Sequence, residues 1–351
     1  MKHATESHPR TSSARAWMMV VGAVAGMVLS EAPAVRTAAD DAAFALALLR
    51  RDGILVPFAE YNGNRWRAIW QVASGSAEAP IQFSDIPKGW WGRLGETLTW
   101  RILPATGPVS TVRVTRPAWF PLFCQQQVGV QTDYRASTPV PPPSVHPFPK
   151  DGLGYAGAAS VSAIRILSPR DEEAREAVAA ISEEMLDGEW GNPLRNKYRQ
   201  REIRIGISPE ISRKAAVTIE ALYVAPGQDV GDRVFYFEAS KTYPPPPGMV
   251  ERAPGPRPPG AEKCYVRSYG SGWFYQKAGG KLENITSSVN TVGCEFSWNK
   301  VMLPLGVVRV NDRSVWVVQW AGWDYERYEI IEPREKTLDV LLERAGGWCS
   351  E

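Results

Sequence analysis

Carboxylates are the catalytic group this chain supplies most freely. Asp187, Glu189 and Trp190 lie together, and Trp323, Asp324, Tyr325, Glu326, Tyr328 and Glu329 form a second cluster. Glycoside hydrolysis needs two carboxylates opposed across a sugar, roughly 5 to 9 Å apart, with aromatic platforms beside them. Neither spacing demands that reading. Asp187-Gly188 also suits the end of a helix, and Glu326 and Glu329 also suit the exposed face of a strand.

Histidine chemistry has little to work with. His3 and His8 fall in the first 34 residues, leaving His146 inside the stretch PVPPPSVHPFP. A catalytic imidazole must be held by a third group, so a solvated histidine is the expectation there. Metal sites built on two or three histidines are excluded. Ser297-Trp298-Asn299-Lys300 matches S-x-x-K, with Ser288-Val289-Asn290 and Lys241-Thr242-Tyr243 as loose companions. The order is reversed from that of penicillin-recognising enzymes, whose serine motif comes first and K-T-G last. No Walker loop or G-x-S-x-G elbow occurs, and no cofactor is expected.

Tryptophan is the positive oddity, with 14 in the chain. Trp66, Trp70 and Trp100 fall in strand phase and read as core. Trp90-Trp91 is different, because Pro87, Gly89 and Gly92 around it indicate a loop. Adjacent strand positions face opposite ways, so at least one ring is expected at the surface. The pair is the candidate binding site, for a sugar face or a protein.

The first 34 residues read as a secretory leader. Lys2, Arg10 and Arg15 precede an uncharged run from Ala16 to Leu29, and Ala32-Pro33-Ala34 offers a cleavage site. The expected product begins near Val35, carries no further membrane segment and works in the periplasm or outside the cell. Four cysteines in an exported chain favour disulfides. The preferred pairing is Cys264–Cys294 with Cys124–Cys349; no CxxC pair supports zinc. With 40 basic and 38 acidic side chains interspersed, neither nucleic acid nor an anionic membrane is an expected partner. Oligomeric state is not legible.

The elements that must position these groups are mostly strands. Thr37 to Arg51 reads as a short helix. Ile54 to Tyr61, Asn62-Gly63 and Arg65 to Val72 read as a hairpin. Ser160 to Leu167 is an expected strand. A helix follows, opened by Ser168-Pro169, carrying Ala174, Ala177, Val178, Ile181 and Met185 on one stripe, and ended by Asp187-Gly188. Strands are expected at Glu202 to Ile207, Ala216 to Val224, Arg233 to Ala239, Cys264 to Gln276, Leu303 to Val310, Val315 to Trp320 and Tyr325 to Ile331. Thr337 to Ala345 reads as a final helix. Proline-rich stretches cannot join central strands and serve as boundaries. The expected organisation is leader 1–34, β-rich region 35–138, linker 139–149, α+β region 150–243, linker 244–260 and β-rich region 261–351.

The fold expected is mainly β with a few short helices (α+β), as packed antiparallel sheets or a degenerate β-propeller. The function expected is a non-catalytic binding module for a glycan or protein partner. A carboxylate-dependent polysaccharide hydrolase and a structural envelope component are the alternatives.

Overall fold

The structure is a computed structural model that describes residues 43–70, 80–94, 96, 98–190, 209–244, 266–293, 301–322 and 325–349. All of them belong to one unit of the chain. The protein is mainly β, in packed antiparallel sheets with few short helices.

The N-terminal strands close into a six-stranded barrel. Its members are β1 (Phe44–Arg50), β2 (Ile54–Tyr61), β4 (Thr99–Pro104), β5 (Ser110–Leu122), β6 (Gln125–Thr132) and β7 (Lys150–Gly157), in the order β1-β7-β4-β5-β6-β2 and back to β1. The short β3 (Trp66–Ala68) extends β2 outside the ring. Alternation sorts the side chains. Ala45, Ala47, Leu49, Trp100, Ile102, Val112, Val114, Val128 and Val130 fill the interior, while Phe44, Leu46, Leu48, Phe58, Leu103 and Leu153 point outward.

Two five-stranded sheets stack beyond the barrel. One runs β17 (Leu338–Trp348), β16 (Tyr325–Pro333), β15 (Arg313–Ala321), β14 (Val301–Val310) and β8 (Ser160–Ser162). The other runs β13 (Leu282–Gly293), β12 (Val266–Gln276), β11 (Arg233–Tyr243), β10 (Thr218–Pro226) and β9 (Arg165–Ile166). The first is buried on both faces. Val308, Val310, Val315, Val317 and Ile330 meet the outward side of the barrel; Met302, Val307, Trp316, Val318, Trp320 and Ile331 meet the second sheet. That explains the nearly continuous apolar run of β15. On its far face the second sheet carries α1 (Arg175–Trp190), whose Ala177, Ile181 and Met185 pack with Ala174 on Leu222, Val224, Phe235, Phe237 and Phe274. A six-residue helix, α2 (Pro209–Lys214), precedes β10.

Several expected elements are corrected. Phe44–Arg50 is a strand, not helix, because both of its faces are needed, one inside the barrel and one against the next sheet. Leu338–Trp348 is likewise a strand, paired along β16. Trp70 leaves the strand after β3 with φ 56° and turns into the barrel rather than sharing a face with Trp66. The single strand expected from Ser160 splits into β8 and β9 in different sheets, with Ile164 buried between them. Asp187-Gly188 does not end α1, which continues to Trp190. A Cβ on Gly188 would lie 2.4 Å from Val289, so this glycine serves close helix–sheet packing. Gly152, Gly154 and Gly157 stand at G-x-G-x-x-G spacing, yet they lie on and at the end of β7, where a Cβ would strike Leu103, Leu55 or Ala43. Packing, not phosphate binding, accounts for them.

The stretch 139–149 connects β6 to β7 of the same barrel and is anchored by the buried Phe148. The Arg50 guanidinium lies between the Phe120 and Phe148 rings, 4.4 and 4.0 Å from their centroids, and pairs with Asp52 at 2.7 Å. The expected strand at 202–207, the linker from 245 to 260 and the motif 297–300 lie outside the described residues.

Candidate functional site

On β11 the residues Tyr236, Glu238 and Ser240 break the apolar pattern on the face turned toward β14 and β15. Between Ile219 and Ala221 the neighbouring β10 slips register, leaving Glu220 as the bulged residue beside them. Bulges re-aim a side chain in this way. The Ser240 hydroxyl donates to Glu220 Oε1 at 2.6 Å. Glu238 Oε1 accepts from the Tyr236 hydroxyl at 3.0 Å and from the Met302 backbone N–H, on the facing sheet, at 2.7 Å. Glu238 and Tyr223 are half-buried and Glu220 is exposed, so the group opens to solvent at one margin of the sandwich.

Aromatic rings back the two carboxylates. Tyr236 stands edge-on to Trp273 and Trp320, with centroids 5.0 and 5.9 Å apart, and lies parallel to Tyr223 at 6.2 Å. Burial pushes the Glu238 carboxyl above its ordinary range, with the neighbouring Glu220 charge adding to the rise. Burial and the Glu238 charge likewise raise the Tyr223 phenol, which stays protonated at neutral pH. No Lys or Arg among the described residues pairs with Glu220 or Glu238. Several buried carboxylates are matched to a cation, as in Glu60–Arg67 at 3.1 Å, Glu326–Lys150 at 2.9 Å and Glu332–Arg313 at 3.1 Å, whereas Asp232, like Glu238, is held by hydrogen bonds from a tyrosine and a backbone N–H. The site therefore presents a ring face, two acceptor groups of unspent capacity and one carboxyl that holds its proton unusually well. Those are the elements of saccharide recognition and, with a suitable substrate, of acid chemistry.

The tryptophan pair sits elsewhere. Trp90 and Trp91 belong to a 3₁₀ segment, Lys88–Leu94, that plugs one end of the barrel. Trp91 is buried and stands edge-on to Trp70 at 4.7 Å; Trp90 is half-buried, 5.7 Å from the same ring. The Trp70 indole donates to Val128 O at 2.6 Å, fixing the plug to the wall. The ring expected at the surface is thus Trp90, and the pair is split between core and surface.

In the first carboxylate cluster Asp187 is exposed, whereas the Glu189 side chain is buried. Glu189 is buried against Ser212, Lys241 and Tyr243, on the opposite face of β11 from Glu238. In the second cluster Glu326 and Glu329 are buried rather than exposed. Glu326 accepts from Tyr328 and pairs with Lys150, and Glu329 accepts from the Trp320 indole at 2.6 Å. Trp323 and Asp324 lie outside the described residues. His146 is exposed, with its ring stacked 4.3 Å over Phe123; partial burial lowers its pKa. Cys124 and Cys349 form the expected disulfide, with Cα atoms 4.9 Å apart; Cys264 and Cys294 lie outside the described residues. Among the described residues no cluster of His, Cys, Asp or Glu is placed to hold a metal, and no helix is long and apolar enough to cross a membrane.

Glu220, Tyr223, Tyr236 and Glu238 escape a reading by motif because they share no local spacing. A signal was present in the β11 sequence. Glu238 and Ser240 continue the phase of Val234 and Tyr236 and interrupt the apolar run that begins at Val234, which marks a polar opening. The chain matches no protein-family model, no curated protein and no solved structure.

Proposed function

We propose that this is an exported, non-catalytic binding module for a glycan, and that Glu220, Tyr223 and Glu238 form part of its contact surface. One observation carries the reading: a half-exposed tyrosine ring lies beside two carboxylates that no cation of the described structure neutralises. Sugars offer apolar ring faces for stacking and hydroxyl donors for such acceptors. The disulfide supports an oxidising compartment, and the leader-like first 34 residues agree with export. Titration calorimetry with a panel of neutral, acidic and amino-sugar oligosaccharides tests the reading. Tyr223→Ala and Glu238→Ala should each weaken binding by about tenfold or more, the range of an interface anchor. Failure of every oligosaccharide to bind at millimolar concentration, or binding untouched by both substitutions, would sink it.

A second reading is hydrolysis, favoured by the raised carboxyl of Glu238. Such a group is suited to protonating a glycosidic oxygen, with Glu220 as the partner carboxylate. Recovery of shortened oligosaccharide, lost in Glu238→Gln, would establish it; recovery of intact ligand supports the binding module.

A further inference from the structure

The seam between the barrel and the first five-stranded sheet is mostly apolar, but one cross-strand row on it is polar. Register sets Gln319 of β15 beside Tyr328 of β16, and Tyr328 beside Arg344 of β17. The Tyr328 ring packs on Phe58 of the barrel, with centroids 5.7 Å apart, so the row faces the barrel. Arg344 is half-buried and donates to the carbonyl of Trp70, the residue at which the chain turns into the barrel.

Hydrogen-bonding capacity around Tyr328 is unmet. The Gln319 amide is fully buried, and neither of its atoms has a partner among the described residues. Arg50, also buried, gives Nε and Nη2 to Asp52 and leaves Nη1 without a partner. The charges do not cancel either. Arg50 is paired with Asp52 and Lys150 with Glu326, whereas no carboxylate among the described residues pairs with Arg344. Burial accordingly pulls the Arg344 guanidinium below its usual range.

Beside Arg344 lies a small cavity whose lining includes Phe58, Trp70, Leu122, Gln127 and Tyr328. It has room for one water-sized particle. That room excludes phosphate, sugar acids and other polyatomic anions. A half-buried cation with no counter-charge, set against apolar walls, attracts an anion more strongly than it would in water. We infer that this cavity binds a single halide ion, held chiefly by the Arg344 guanidinium, with the Gln127 amide in its wall. Arg344 belongs to β17 and most other walls to the barrel, so the ion bridges the two layers and binds only the folded chain. Its occupancy therefore stabilises the fold. This site is separate from the glycan surface and does not rest on that reading.

The test is thermal unfolding with sodium chloride exchanged for sodium gluconate at constant ionic strength, so that screening stays equal. The midpoint should rise with chloride and level off, gaining on the order of 2 °C at tenfold excess over the dissociation constant. Bromide should act as chloride does. Arg344→Gln, which can still donate to the Trp70 carbonyl, should lose the rise. Arg113→Gln, at an exposed position on β5, should keep it. Crystals soaked in bromide should show an anomalous peak beside the Arg344 guanidinium. No rise with chloride, a rise that never levels off, an equal rise in Arg344→Gln, or no bromide beside Arg344 would overturn the proposal. The bromide position in the wild-type protein decides the matter even if Arg344→Gln does not fold.

Discussion

At the scale of single residues, two neighbouring tryptophans carry opposite burdens. Trp91 is 4 % exposed and sits among Trp70, Phe83 and Ile86 at the barrel end. Its deletion leaves a cavity that the barrel wall does not refill, so Trp91→Ala is expected to cost ~3 to 5 kcal/mol. Trp90 keeps part of its ring in solvent, and Trp90→Ala should cost distinctly less. Denaturant unfolding of both variants checks this; equal losses would mean that Trp90 too is core. Glu238 makes a pH prediction. Burial holds its carboxyl above the ordinary range, so the folded chain keeps this proton at a pH where the unfolded chain has lost it. Its contribution to stability is fully present below the ordinary glutamate pKa and declines as pH rises through the raised folded value. Glu238→Gln stays neutral and its amide oxygen still accepts from Tyr236 and Met302. The variant should therefore gain stability on wild type between about pH 4 and pH 7 in thermal unfolding. A constant offset across that window would refute the argument. What sequence reasoning could see at this scale was residue type; it could not see that a bulge places Glu220 beside Glu238, since register is a property of two strands.

At the scale of elements, the central and most apolar strands were legible and the ends were not. Ile54–Tyr61, Val315–Trp320 and the stripe of α1 announce themselves by alternation, continuity or helical spacing, because each buries a face in a fixed period. Phe44–Arg50 reads Phe-Ala-Leu-Ala-Leu-Leu-Arg, rich in good helix formers, and Leu338–Trp348 reads similarly. Tertiary demand overrides propensity in both. Small Ala45 and Ala47 fit a narrow barrel interior while Phe44, Leu46 and Leu48 fill the gap to the next sheet. The end of β17 is secured by chemistry of its own. Cys349 bonds to Cys124 across 225 residues, Gly347 lies against Leu122, and the Gln127 amide donates to the Gly346 carbonyl at 2.5 Å. Cys124→Ser, studied under oxidising conditions, should lose on the order of 3 to 5 kcal/mol, because the opened loop is so long. Unchanged denaturant stability would show that the strand end holds without its crosslink.

At the scale of the whole molecule, the layers determine what can stand alone. The proline-rich stretch 139–149 suggests a boundary, yet β7 follows it and pairs with both β1 and β4. A chain ending at Thr138 lacks the strand that closes the ring, so the apolar edges of β1 and β4 would be left bare. The outward face of the barrel also depends on its neighbour. Leu46, Leu48, Leu103 and Leu153 pack against Val308, Val317 and Ile330 of the central sheet, which in turn packs on the second sheet through Trp316 and Val318. Shared cores couple the layers, because exposing one face of the central sheet costs apolar burial on both sides of the interface. The expected outcome is a single calorimetric transition for the chain from Val35 to Glu351. Val317→Ala, at the barrel interface, should lower that one transition without splitting it, and residues 35–138 expressed alone should lack cooperative unfolding. Two resolved transitions, or a folded 35–138 fragment, would mean that the barrel is an autonomous domain and that the contact with the central sheet is incidental to its stability.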